Sequence, residues 1–316
     1  MKKTVFICPY FGTLPKHTQI WLNTCAANKN FFWLLLTDDK TAYDYPENVI
    51  VEYTTMSELR DRFQKKFDFT LSLPDIKKLG DYKPLYGYLF EDEIKDYDAW
   101  GHIDVSDEVY GDLSAFITDE LLEKYDKLML FGHMSVYKNT PEVNRRFMLP
   151  NGTERSYKDI FSSGTFYNFE EVAKGSIADV YRKNGFEIGR LDYKIADLRC
   201  LKFQFEFGVW SDDIKEYTVR TDRKPCVFAR ENGRIFCYYL NNKQVEKEEF
   251  MYVHFKRRKM NIDIDQNETN YLITPSGFAP MTEITPELIK KQNRYKGIYP
   301  VYFQEKKRSL LNRFKK

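Results

Sequence analysis

Short, nearly continuous apolar runs alternate along the chain with segments of amphipathic spacing. Thr4 to Cys8 is a β-branched and aromatic run stopped by Pro9-Tyr10-Phe11-Gly12, which predicts a buried strand ending in a turn. Residues 17–28 set Ile20, Leu22, Thr24 and Ala27 among polar neighbours and predict a helix that ends near Asn28. Phe31 to Thr37 reads as a second strand, halted by Asp38-Asp39, and Val49 to Tyr53 as a third. Strand, helix, strand, strand, with strands apolar throughout, is the pattern of a parallel sheet covered by helices.

Thr55 to Phe67 predicts a charged helix with Met56, Leu59 and Phe63 on one side. Residues 82–94 place Tyr82, Leu85, Tyr86, Leu89 and Phe90 at helical spacing, with Pro84 in the first turn, where its missing N–H costs little. Ala99 to Val105 predicts a strand, 118–125 a helix and Lys127 to Phe131 another strand. Between 150 and 250 the pieces shorten. They include Val227 to Arg230 and Arg234 to Leu240, the latter joined through a turn at Asn241-Asn242 to Glu249–Phe255. Past Met260 the chain turns polar, with Pro275, Gly277, Pro280 and Pro286, and no internal repeat is visible.

A length of 316 residues fits one large or two modest domains. The 23 Tyr, 25 Phe and 4 Trp must be packed somewhere, which excludes disorder as the main state. With 49 basic against 47 acidic residues there is no global charge to grip nucleic acid, and none is expected as a partner. The five cysteines show no zinc spacing, and Cys8 and Cys237 sit in strand-like runs, so buried free thiols and a reducing compartment are expected. The first residues are too short in apolar length for a signal-peptide core, and the longest apolar run, Phe31 to Leu36, is far below a membrane helix. The expected location is cytoplasmic, at the inner face of the membrane if the basic, amphipathic segment 305–316 attaches to anionic lipid; the bland alternative for that segment is a solvated, frayed end.

Candidate chemistry gathers where strands end. Pro9 to Gly12, Asp38-Asp39 and Asp104 to Asp107 would share one rim of a parallel sheet, the usual place for a ligand. An aspartate pair after a strand serves equally well as a turn or cap. The segment Trp100 to Asp112 holds four acidic residues in nine positions after an apolar strand, and such oxygens can converge on Mg²⁺ or Mn²⁺. All four histidines, His17, His102, His133 and His254, lie near such clusters. If 252–260 is a strand, His254, Lys256 and Arg258 share a face suited to a diphosphate, with the imidazole on a metal; a solvated basic edge strand is the alternative. The acidic pair Glu170-Glu171 would be a weak candidate for activating an acceptor hydroxyl, although such a pair before a helical run is usually its N-terminus.

Taken in order, Pro9-Tyr-Phe-Gly, Trp21-Leu-x-x-Cys, Thr37-Asp-Asp, Asp81-Tyr-Lys-Pro-x-Tyr-Gly, Trp100-Gly-His-x-Asp, Tyr110-Gly-Asp-Leu, Gly132-His and Phe250-x-Tyr-x-His-x-Lys-Arg resemble a family of uncharacterised bacterial proteins from capsule and surface-polysaccharide loci. That family looks like nucleotide-sugar glycosyltransferases of the GT-A fold, and the likeness runs over about residues 4–260. The resemblance implies an α/β, Rossmann-like, mostly parallel central sheet flanked by helices, with a nucleotide-sugar half at 1–135, a smaller mixed acceptor half at 136–260 and an extension at 261–316. It implies a metal site of Asp104, Asp107 and His254 for Mn²⁺ or Mg²⁺, and a nucleoside-diphosphate sugar, a UDP-sugar first, as donor. Pro9, Tyr10, Phe11, Gly12, Asp38 and Asp39 would flank the nucleoside, with Lys83, Lys256 and Arg258 near the phosphates and a glycan or lipid-linked acceptor as partner. One departure stands out: the family pattern sets aspartates at 105 and 107, and residue 105 here is Val. The rival class is a non-catalytic carbohydrate-binding or envelope-assembly protein that keeps the fold.

Overall fold

A computed structural model describes residues 1–199, 202–213 and 216–293. The described residues divide into two compact units, one formed by 1–106 and 113–192, the other by 107–112 and the described residues between 193 and 293.

The first unit opens with β1 (Thr4–Tyr10), α1 (Thr18–Ala27), β2 (Phe31–Thr37), β3 (Val49–Tyr53) and α2 (Met56–Gln64), close to the sequence expectation. A capping box starts α2: Thr55 accepts from the Glu58 N–H while the Glu58 carboxylate accepts from the Thr55 N–H. The single helix expected over 82–94 is instead α3 (Leu79–Tyr82), a 3-10 turn at Lys83–Leu85 and α4 (Tyr86–Leu89). Pro84 cannot donate within a helix, and at Gly87 an added Cβ would lie 2.3 Å from the Trp100 indole. These turns therefore press close to β4 (Ala99–Ile103).

The chain then supplies β5 (Glu108–Tyr110) to the second unit and returns with α5 (Asp119–Lys124), β6 (Lys127–Leu128) and β7 (Met134–Lys138). The sheet order is β3-β2-β1-β4-β7-β6, with β3, β2, β1 and β4 parallel and β7 antiparallel to both neighbours. It is thus mixed, with a parallel part. Val5, Ile7, Leu34, Leu36, Trp100 and Tyr137 join the ring-rich core formed with Phe63, Tyr82, Tyr86 and Phe161, which absorbs much of the aromatic load. Two more helices, α6 (Tyr157–Ser162) and α7 (Ile177–Lys183), belong to this unit, which groups residues 136–192 with 1–106 and 113–135.

In the second unit β8 (Ile195–Leu198), β9 (Phe205–Ser211), β10 (Glu216–Arg220), β11 (Cys226–Glu231), β12 (Arg234–Asn241), β13 (Gln244–Phe250), β14 (Tyr252–His254), β15 (Asn261–Ile262), β16 (Tyr271–Thr274) and β17 (Gly277–Pro280) precede α8 (Pro286–Gln292). They form two mixed sheets, β10-β9-β8-β14-β5 and β13-β12-β11-β16-β17-β15. The β12–β13 turn is centred on Asn242 and Lys243, both left-handed, one residue later than expected. Residues 261–280, expected as an extension, complete the second of these sheets. Cys8, Cys25, Cys226 and Cys237 are buried free thiols, and Cys200 lies outside the described residues.

Candidate functional site

β14 lies between β8, parallel to it, and β5, antiparallel, with His254 in register with Asp197 on one side and Glu108 on the other. This register brings residues far apart in sequence onto one imidazole. His254 Nδ1 is 2.9 Å from Asp197 Oδ1, and Nε2 is 3.1 Å from Asp107 Oδ2. Lys256 Nζ lies 3.1 Å from the other Asp197 oxygen. Asp107 and His254 are 6% and 5% exposed, so these charges meet away from bulk water. A neutral imidazole carries a single N–H. Facing two carboxylates, it needs either a second proton or a cation in place of one.

The strand expected over 252–260 stops at His254. Lys256 and Arg257 take left-handed backbone, φ 53° and 58°, and the turn closes on Asp107, whose two carboxylate oxygens accept the Arg257 N–H at 2.7 and 2.6 Å. The alternating face of His254, Lys256 and Arg258 therefore does not form. Lys256 reaches back to Asp197, while the buried Arg258 guanidinium donates to the carbonyls of Pro275 (2.9 Å), Lys202 (2.8 Å) and Arg199. Its placement supports backbone, which runs against the phosphate role expected of it.

Asp104, expected beside Asp107, belongs to the first unit, where its carboxylate accepts from Lys83 Nζ. Lys83 also donates to the Gly132 carbonyl at 2.8 Å. Val105 is buried, and Ser106 takes a φ of 57° at the end of this segment. This left-handed residue kinks the chain between Asp104 and Asp107. His17 Nε2 lies 2.7 Å from the Ser106 carbonyl.

The other expected residues also fall in the first unit. Pro9 and Tyr10 end β1, and Gly12 turns at φ 96°, a conformation that favours glycine. Its N–H donates to Asp38 at 2.7 Å, and the Leu14 N–H donates to Asp39 at 2.7 Å. Both aspartates thus do the turn-holding work that the sequence left open; hydrogen bonds from the Thr41 side chain and the Leu14 backbone hold the Asp39 carboxyl below its usual range. Phe11 is a core side chain. Glu170 and Glu171 sit in the connection between α6 and α7, not at a helix start. Glu170 is 7% exposed, and burial pushes its carboxyl up to about 8. A group with that value holds its proton near neutrality, so it donates where a base was expected. Burial likewise holds His102, on β4, well below the ordinary imidazole value.

Sequence reasoning missed Asp197. A lone carboxylate inside the apolar run Ile195–Leu198 was the available signal, since a strand does not bury one without a partner.

Fold and site define a two-unit, mixed α/β protein whose second unit holds an imidazole between carboxylates. The chain belongs to a family described as a family of unknown function (DUF6625), whose model matches residues 6–282. No curated protein matches the chain.

Proposed function

We propose that the protein is a metal-dependent glycosyltransferase that moves a sugar from a nucleoside-diphosphate donor, a UDP-sugar first among them, to a cell-surface glycan or lipid-linked acceptor. The observation that carries this reading is the Asp107–His254–Asp197 row. His254 Nε2 and Asp107 are a fitting nitrogen and oxygen pair for Mn²⁺ or Mg²⁺, and Asp197 at Nδ1 fixes the tautomer that leaves Nε2 to the cation. When bound, the cation would offset charge on the departing diphosphate. Lys256, anchored on Asp197 and partly exposed, supplies a further positive charge. The parallel part of the first sheet, with β1 and β2 running into the Pro9–Gly12 and Asp38-Asp39 turns, supports a Rossmann-like nucleotide half of a GT-A fold.

Calorimetry with UDP and GDP, with and without Mn²⁺, tests the proposal. Mn²⁺-dependent binding is expected, weakened at least about tenfold in His254→Ala; no binding of either nucleotide contradicts it. The second reading, a non-catalytic carbohydrate-binding or envelope-assembly protein, is favoured by Val105 and by the hold of Lys83 on Asp104. Nucleotide binding without sugar transfer or donor hydrolysis would select it. Among the described residues no helix is long and apolar enough to cross a membrane. Segment 305–316, outside the described residues, is proposed as a lipid contact on its basic, amphipathic sequence; equal pelleting with anionic liposomes after its removal would contradict this.

A further inference from the structure

Among the described residues each sheet ends in two edge strands, whose outer backbone N–H and C=O groups are open to pairing. β5, β6 and β15 are at most three residues long, and shortness itself blunts an edge. β3, β13 and β10 are longer, and their sequences answer differently to a second copy of themselves. Two copies of one edge strand pair antiparallel about a two-fold axis, so the residues on either side of the central one meet crosswise. In β13 that sets Lys247 against Lys247 and Glu246 against Glu248, and like charges directly opposite repel. In β3 it sets the Glu52 carboxylate against Ile50. Only β10 of the three matches itself.

We propose that the protein forms a two-fold dimer in which β10 pairs antiparallel with β10 of a second copy, centred on Thr218. Glu216 then faces Arg220 of the second copy at both ends, Tyr217 faces Val219, and Thr218 faces Thr218. Opposite charges, an aromatic with a β-branched residue, and two threonines are each favourable cross-strand pairs. The strand is presented for this. Glu216, Tyr217, Thr218 and Val219 are exposed, Val219 at 48%, and the five pairs with β9 run without a bulge. The Tyr217 ring stands edge-on to Trp210 with centroids 5.2 Å apart, which steadies the apolar face of the edge. Arg220 holds Asp222 at 3.0 Å, and a guanidinium with five donors can take Glu216 as well. The pairing joins the five-stranded sheet that contains β14, and with it His254, to the same sheet of the second copy. One short edge makes a small interface, so the dimer is weak and reversible.

Sedimentation velocity on the full chain across the micromolar range, without metal or nucleotide, tests the proposal independently of the transferase reading. A monomer–dimer equilibrium is expected. It should weaken at least about tenfold in Glu216→Arg, which sets a second guanidinium against Arg220 at both ends. Combining Glu216→Arg with Arg220→Glu restores the charge match and should bring the affinity back to within about threefold of wild type. A chain that stays monomeric throughout, its edge left to solvent or to a strand of another protein, overturns the inference. So does a dimer as strong in Glu216→Arg as in wild type, or a double variant as weak as Glu216→Arg alone.

Discussion

Asp107 serves two partners at once, since its carboxylate closes the 255–258 turn through the Arg257 N–H and faces His254 Nε2. Asp197 orients the imidazole through Nδ1 and holds Lys256 Nζ on its other oxygen. Asp197→Asn is therefore expected to weaken Mn²⁺ affinity by about 10–100-fold without unfolding the second unit, as calorimetry would record; unchanged affinity would remove Asp197 from the site. Glu170 gives a second prediction. Folded, its carboxyl binds a proton more tightly than in the unfolded chain, so its contribution to stability is complete below about 4.5 and is lost as pH rises through about 8. Denaturation with urea at several pH values should show wild type losing stability relative to Glu170→Gln over that window, by at most about 1.4 kcal/mol per pH unit. A difference that is constant with pH would contradict the burial argument. The sequence made Asp107 and His254 legible as chemistry because each follows an apolar run and stands among polar neighbours. Asp197 stayed hidden because its meaning comes from the β8–β14 register, a long-range pairing that no local pattern carries.

Strands and capped helices with strong local signals were readable. β2 and β3 occupy the expected residues because their apolar runs are bounded by clear turn chemistry. The break in the helix expected over 82–94 was not readable, since a helical period says nothing about Trp100 pressing on Gly87. The same holds for 252–260, where alternation suggested a strand and Asp107, distant in sequence, captures the backbone in a turn. Close approach also governs the connection carrying Glu170: a Cβ on Gly132 would lie 2.8 Å from the Cγ atoms of both Glu170 and Glu171. Gly132→Ala should destabilise the first unit by about 1–3 kcal/mol through overpacking, measured by urea denaturation. Wild-type stability in that variant would mean the connection is free to move aside.

On the scale of the whole molecule, the α/β character was legible and the partition was not. The units are defined by which strands pair, and β5 joins the second unit although the residues on both sides of 107–112 belong to the first. If a cation binds the folded second unit and not the unfolded chain, saturating Mn²⁺ at about 100 times its dissociation constant should raise stability by about 2.7 kcal/mol, and Asp107→Asn should abolish that rise. The most direct test is anomalous diffraction at the manganese edge from crystals grown with Mn²⁺ and UDP. The account predicts a peak within coordination distance of both His254 Nε2 and an Asp107 carboxylate oxygen. A structure with Mn²⁺ bound elsewhere, and His254 still closed between Asp107 and Asp197, would contradict it.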